Sequence, residues 1–318
     1  ILIPLIRLFF NPNLSYILIC FLFCIISSLR PEVGVDYEAY YNFANDDKSF
    51  IEILFYFWEP ISSFFIYIGQ KSNIYIMLVC FSLIYSVGIF YPIKFLKKKD
   101  FITYYYILLV IPCGIFFSFN NVRQSAAIGL FYFLYFSSSK RISFLMSLGS
   151  HLSNMSIILS EYISNIKYKL IRNYFIPIAW IPFSYSLVFL VNTFWKYDFD
   201  ESNIYGKYSI LYISIFGLIY LYLLRCIGSK KDFSFKKLST TSAFLLASSL
   251  FIVPVSNSYL LRILTSFFPL VLLGIINLNS YLKSRSIIRL SILSFSFLVS
   301  FFYYIRMSRE TIFAIFKV

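Results

Sequence analysis

Apolar stretches long enough to cross a bilayer recur along this chain and limit what it can fold into. A transmembrane helix needs roughly 20 predominantly apolar residues, and several stretches reach or approach that length. Charged residues make up only 13% of the chain, which is about half of the soluble norm. The stretches also lack the alternating pattern of a membrane barrel. The sequence therefore predicts an all-α, polytopic membrane helix bundle.

We predict about ten spans. The first is predicted to be truncated, because the chain opens on Ile1 without Met, and no signal peptide is expected. The predicted spans are residues 1–10, 14–29, 72–93, 101–119, 122–138, 173–192, 208–227, 239–256, 262–281 and 287–305.

The distribution of charge between these spans predicts their orientation. Lys and Arg cluster in alternate loops, as at Lys94 to Lys99, whereas most acidic residues fall in the others. The positive-inside rule places the basic loops in the cytoplasm. The net charge of +14 is therefore interpreted as an orientation signal, and no nucleic-acid partner is expected.

Two segments of the predicted single transmembrane domain, residues 1–318, do not cross the membrane. Basic residues flank segment 142–166 on both sides, so we predict a re-entrant hairpin of two half-length helices, with His151 near its tip. Segment 30–71 is predicted to be external. Within it, Asp36 is expected to cap a short helix through Ala44, and Phe50 to Ile68 to form one amphipathic helix at the outer interface.

Three arginines are predicted on the outer side, where the positive-inside rule does not favour them. Arg123 and Arg262 each lie at the start of a span, and Arg30 follows span 14–29. A cation in a first helical turn opposes the helix dipole, whereas a helix N-terminus with a guanidinium suits phosphate or pyrophosphate. We predict that Arg30, Arg123 and Arg262 bind pyrophosphate. The alternative is that they are interface arginines that snorkel to water.

Three further ionisable residues are predicted to be catalytic. His151 is the only histidine in the chain, and an ionisable group at membrane depth is a functional hypothesis; the alternative is a helix-packing hydrogen bond. Asp36 is bordered by tyrosines, although capping alone would also explain it. Glu59 is expected inside an apolar interface helix, where no structural need for it is visible. One histidine without a nearby cysteine pair predicts no metal site, and no cofactor is expected.

At these residues the sequence resembles the EpsG-like branch of the Wzy polysaccharide polymerases. The resemblance covers about residues 14–165 and follows four motifs in register. They are Arg30-x-x-x-Gly34-x-Asp36-Tyr37-x-x-Tyr40, Glu59-Pro60-Ile61, Asn121-Val122-Arg123-Gln124-Ser125-Ala126-Ala127 and His151-x-Ser153.

The resemblance implies a metal-independent glycosyltransferase in the bacterial inner membrane, with its active site facing the periplasm. Its donor and acceptor would be undecaprenyl-pyrophosphate-linked oligosaccharides, which the enzyme joins into O-antigen or a related surface polysaccharide such as capsule. A flippase and a chain-length regulator are the implied protein partners. Tyr37, Tyr40 and Gln124 are predicted to contact the substrate.

The expected mechanism combines both lines of reasoning. The arginines would hold the donor pyrophosphate and stabilise the charge that develops on it, while Asp36, Glu59 or His151 accepts the proton of the acceptor hydroxyl. Three alternatives stay open: an O-antigen ligase, a transporter or flippase for lipid-linked sugars, and a scaffolding membrane protein. A transporter would need charges along several mid-span positions, whereas here the unusual charges collect at one face.

Overall fold

The computed structural model describes residues 5–29, 37–110, 122–137 and 140–150, with isolated positions between 166 and 276. These residues form helices and turns, and no strand occurs among them, so the all-α prediction is confirmed for this part of the chain. The chain divides into two compact units, residues 1–154 with 286–318 and residues 155–285. All helices described below belong to the first unit. The single domain predicted over 1–318 stays a prediction.

The helices follow one another with short connections. They are α1 (Ile6–Phe9), α2 (Pro12–Ser28), α3 (Tyr37–Asn45), α4 (Phe50–Phe57), α5 (Pro60–Lys71), α6 (Ile74–Ile89), α7 (Lys98–Val110), α8 (Val122–Ser137) and α9 (Lys140–Ser150), with a 3₁₀ helix at Tyr91–Lys94.

Three of these helices match predicted spans to within about three residues. They are α2, α8, and α6 with the 3₁₀ helix that follows it. Among the described residues, the continuous helical segment Ile74–Lys94 is the one both long enough and apolar enough to cross a membrane, whereas α2 is apolar but shorter. In the described part of the predicted remnant, residues 5–10, α1 has four residues.

Several predicted spans cannot be compared with the structure. Span 101–119 is described as far as Val110, and the five spans from 173 onward lie outside the continuously described ranges. The total of about ten spans therefore stays a prediction.

Side-chain contacts fix the direction of α2 against α6. The Tyr16 hydroxyl donates to the Val87 carbonyl at 2.6 Å, and the Cys24 thiol donates to the Val79 carbonyl at 3.6 Å. Residue numbers rise on one helix as they fall on the other, so the two helices are antiparallel. Their order agrees with the alternation that the charge pattern predicts.

Helix α8 runs parallel to α6. Val122, at the start of α8, belongs to the same buried cluster as Ile74 and Met77 at the start of α6. Beyond the other end of α6, the Tyr91 ring meets the Phe133 ring of α8 at 5.8 Å between centroids. Two parallel neighbours need an intervening crossing, which α7 would supply.

Lysines gather where α2 begins and α6 ends. The Lys94 ammonium lies 4.7 Å from the centroid of the Tyr16 ring, and the Lys98 ammonium donates to the Leu8 carbonyl at 3.0 Å. We call this the basic end of the unit. The starts of α6 and α8, and with them Arg123, lie at the opposite end.

The single amphipathic helix predicted over Phe50 to Ile68 is wrong. The structure divides it into α4 and α5, with a break at Trp58 and Glu59. Pro60 restricts the residue before it to extended backbone, and Glu59 accordingly has φ −129° and ψ 86°. Trp58 ends α4 in the left-handed region at φ 56°, a conformation that costs a non-glycine residue roughly 1–2 kcal/mol.

The N-terminus of α4 explains Glu52, a carboxylate inside the apolar segment. Ser49 and Glu52 form a capping box, in which the Glu52 backbone N–H donates to Ser49 Oγ at 3.3 Å and the Ser49 backbone N–H donates to Glu52 Oε2 at 2.7 Å. The Ser49 hydroxyl also donates to Glu52 Oε2 at 2.7 Å. These hydrogen bonds lower the pKa of the Glu52 carboxyl. This carboxylate therefore has a local structural role.

Helices α6 and α8 touch through their backbones. A Cβ atom placed on Gly88 would overlap the backbone of Gly129, and one placed on Gly129 would overlap the backbone at Ile84 and Tyr85. Small residues permit such close approach in membrane helix pairs, where van der Waals packing stabilises association. The glycine crossing, Gly88 with Gly129, thus sets the spacing of the two helices.

Helix α9 returns along α8 towards α5. The Ser147 hydroxyl donates to the Ala127 carbonyl at 3.1 Å, and the Ser62 hydroxyl donates to the Ser150 carbonyl. This helix covers the beginning of the segment 142–166; the rest of that segment lies almost wholly outside the described residues, and the re-entrant hairpin stays a prediction.

Gly88→Ala should lower the free energy of unfolding of the unit by about 3 kcal/mol or more. Overpacking costs about 1–3 kcal/mol when side chains can shift. Here the added methyl group would meet backbone, which cannot shift as easily, so the cost is larger. Alanine improves the helix propensity by only about 1 kcal/mol. Thermal unfolding of the purified protein in detergent measures the effect.

Gly149→Ala is the matched control. A Cβ at Gly149 would meet Ile61 and Pro60 side-chain atoms at ordinary distances of 3.5–3.6 Å, so this variant should unfold at or above the wild-type temperature. Equal unfolding temperatures for the Gly88 and Gly149 variants would contradict the crossing.

Candidate functional site

Arg123, in the first turn of α8, is held by three neighbouring groups. Its Nη1 donates to Glu59 Oε2 at 2.7 Å, and its Nε donates to the Tyr40 hydroxyl at 3.1 Å. The Phe57 ring lies against the guanidinium plane, with 4.2 Å between Cζ and the ring centroid. The guanidinium is therefore fixed by an ion pair, a hydrogen bond and a cation–π contact.

The break between α4 and α5 positions two of these groups. Phe57 is the last residue of α4 and Glu59 immediately precedes Pro60, the first residue of α5. Residues two apart on one continuous helix would point in different directions. The left-handed backbone at Trp58 and the proline-restricted backbone at Glu59 allow both side chains to reach Arg123.

Tyr40 brings α3 to the same place. It belongs to a buried cluster with Ile53, Phe81 and Val122, so apolar packing holds the phenol while its hydroxyl meets Arg123. The Glu59 side chain is buried, and that of Arg123 is 17% exposed. The site is therefore a nearly enclosed ion pair, and a small part of the Arg123 side chain stays exposed.

The structure brings together three of the predicted site residues, Tyr40, Glu59 and Arg123. Gln124, which follows Arg123 on α8, is buried. Tyr37 is partly buried and stacks on Tyr41 at 6.4 Å between centroids. Their predicted roles in substrate binding and catalysis stay predictions.

Four predicted site residues lie outside the described ranges: Arg30, Asp36, His151 and Arg262. Two of them adjoin described elements in sequence. Asp36 precedes the first residue of α3, and His151 follows Ser150 of α9. The Ser150 carbonyl accepts the Ser62 hydroxyl, three residues along the chain from Glu59.

Sequence reasoning found no structural explanation for Arg123 or Glu59, and in that respect it was wrong. Each is the charge partner of the other. It also missed Phe57 as the ring beneath the guanidinium. One signal was present: a lone carboxylate and a lone arginine, both costly in apolar surroundings and both predicted on the outer side, are expected to pair.

The chain matches a known protein family. The model of the EpsG family matches residues 13–316, which is nearly the whole chain. The chain belongs to the EpsG family. EpsG is a family of Wzy-like polymerases, and its members are membrane proteins. No curated protein and no solved structure matches the chain.

Family membership confirms the coarse prediction, a membrane protein of the Wzy-like polymerase and glycosyltransferase-related class. The EpsG match extends well beyond residues 14–165, where the sequence motifs lie. The later half of the chain, in which few motifs were recognised, therefore belongs to the same family domain.

The ion pair of this EpsG-family protein should show strong energetic coupling. Removing one partner leaves a buried charge uncompensated, which costs about 3–5 kcal/mol. Glu59→Gln and Arg123→Gln should each lower the free energy of unfolding by about 3 kcal/mol, and the double variant should lose less than the sum. A double-mutant cycle by thermal unfolding in detergent measures the coupling.

Lys71→Gln is the control for that cycle. Lys71 pairs with Asp47 at 3.0 Å, but both side chains are exposed, and exposed pairs contribute little. This variant should unfold close to the wild-type temperature. Additive effects of the Glu59 and Arg123 substitutions would show that the pair is not coupled.

Proposed function

We propose that this protein polymerises undecaprenyl-pyrophosphate-linked oligosaccharide repeat units into O-antigen or a related surface polysaccharide. The reaction takes place at the outer face of the inner membrane. Both donor and acceptor are lipid-linked repeats, a flippase delivers them, and a chain-length regulator acts as a partner. The single observation that carries the proposal is the Arg123 guanidinium, fixed by Glu59, Tyr40 and Phe57 at one end of the unit.

The location of Arg123 supports the outer face. The lysines of the basic end, Lys94 and Lys98, lie at the opposite end of α6 and α8. The positive-inside rule assigns such lysines to the cytoplasm, so the Arg123 site faces the periplasm. Lipid-linked repeats delivered by a flippase are available on that side.

The surroundings of Arg123 suit a diphosphate. The guanidinium lies in the first turn of the 16-residue helix α8, and the dipole of that helix adds positive potential at its N-terminus. Glu59 pairs with the cation and sets its direction. An arriving diphosphate would add negative charge beside a guanidinium already oriented to receive it, with Arg30 as a further cation.

The transfer step requires one base and one stabilised leaving group. The acceptor hydroxyl oxygen bonds to the donor sugar C1 as the bond between C1 and the diphosphate oxygen breaks. The electron pair stays on undecaprenyl pyrophosphate, whose charge Arg123 stabilises. The hydroxyl proton passes to a base. Glu59 is engaged by Arg123, so we assign it the positioning of that side chain and place the base at Asp36 or His151.

Substitution at Arg123 should separate fold from activity. Arg123→Lys keeps a cation but loses the planar set of N–H donors. The double variant E59R with R123E exchanges the two residues, so it keeps one charge of each sign but moves the cation to the start of α5. Both variants should insert in the membrane, and both should lose long glycan chains. Gel analysis of surface glycan from a complemented deletion strain measures chain length.

Lys71→Gln serves again as the control and should give wild-type chains. Long chains from the exchange variant would show that the pair is only architectural, and the proposal would fail. A deletion strain that carries single repeats on its glycan acceptor indicates a missing polymerase, whereas complete loss of glycan indicates a ligase. Purified protein should convert a lipid-linked repeat unit into a ladder without added metal.

A further inference from the structure

Trp58 occupies a backbone position that favours glycine. It ends α4 in the left-handed region at φ 56°, where glycine is preferred because it has no Cβ. Tryptophan at this φ is strained, and strained backbone recurs at ligand sites. The indole does not stabilise the fold by burial, since Trp58 is 63% exposed. Its ring contact at 5.7 Å is with Phe55, itself an exposed side chain.

The neighbours of Trp58 in the chain hold the guanidinium. Phe57 stacks on Arg123 and Glu59 pairs with it, so the backbone that carries the indole is tied to Arg123 on both sides. Adjacent Cα atoms are about 3.8 Å apart. Trp58 is therefore an exposed aromatic residue that lies, in the chain, between the two residues that contact Arg123.

We propose that Trp58 binds the sugar ring attached to the lipid diphosphate, by stacking its indole on the apolar C–H face of the pyranose. This inference rests on the proposed function and adds a sugar subsite to it. The indole offers a large, rigid apolar surface with a negative π face, which matches the positively polarised C–H bonds of a pyranose. Trp58 is then a specificity residue for the sugar next to the diphosphate, and the left-handed backbone holds it in place.

The competing explanation is that Trp58 anchors the external segment in the membrane interface, as exposed aromatic residues do. Two substitutions distinguish the explanations. Trp58→Leu keeps an apolar side chain and the same left-handed strain but has no ring face, whereas Trp58→Phe keeps a ring. Trp58→Gly removes the side chain and relieves the strain, so it should unfold at or above the wild-type temperature.

The experiment uses purified full-length protein in nanodiscs with a lipid-linked repeat unit. Trp58→Leu and Trp58→Gly should raise KM about tenfold, which corresponds to about 1.4 kcal/mol, while Trp58→Phe stays near wild type. Undecaprenyl pyrophosphate, which carries no sugar, serves as a competitive inhibitor. The Trp58 variants should leave its inhibition constant unchanged. Arg123→Lys should raise the inhibition constant, because the inhibitor then binds less tightly.

Three results would overturn the assignment. A wild-type KM for Trp58→Leu would favour membrane anchoring, and equal impairment of the Phe and Leu variants would exclude ring stacking. Weaker inhibition by undecaprenyl pyrophosphate in Trp58→Leu would place the indole on lipid or diphosphate. A different result would contradict the proposed function itself: either the wild-type protein forms no glycan ladder, or Arg123→Lys forms a normal ladder.

Discussion

The ion pair between Arg123 and Glu59 is the interaction on which the rest of the site depends. Taking a guanidinium and a carboxylate out of water is costly, and the mutual attraction offsets that cost only when the geometry is good. Here the 2.7 Å contact is supplemented by the Tyr40 hydroxyl and the Phe57 ring. Three separate helical elements, α3, the α4–α5 break and α8, must therefore assemble before the charges are satisfied, so the site exists only in the folded protein.

Under the proposed function, the pair would let one guanidinium serve both stability and chemistry. A carboxylate partner holds the cation in one direction, which is the preorganisation that electrostatic catalysis requires. The helix N-terminus adds a fixed dipole at the same point. Lys94 and Lys98 lie at the opposite end of the unit, so under the proposed function membrane orientation and substrate binding would use different basic residues.

The positions of three described helices, and part of the site, could be predicted from the sequence. Length and hydropathy located α2, α6 and α8, because the period and extent of apolar runs are local properties. The same reasoning missed the break at Trp58, since hydropathy does not report backbone angles, although Pro60 was a local warning. It named Arg123 and Glu59 individually but not as partners, because their 64-residue separation is closed only by the packing of α5 and α8 around α6. Phe57 carried no signal, as one aromatic among many in an apolar segment.

The glycine crossing has a consequence for the distant guanidinium. Gly129 follows Arg123 by six residues, or about 9 Å along a helix axis. Because backbone meets backbone at Gly88, the axial position of α8 is set there rather than by adaptable side chains. A slide of a single turn, about 5.4 Å, would carry the guanidinium out of reach of its carboxylate. The two glycines thus fix the position of the guanidinium along the axis of α8.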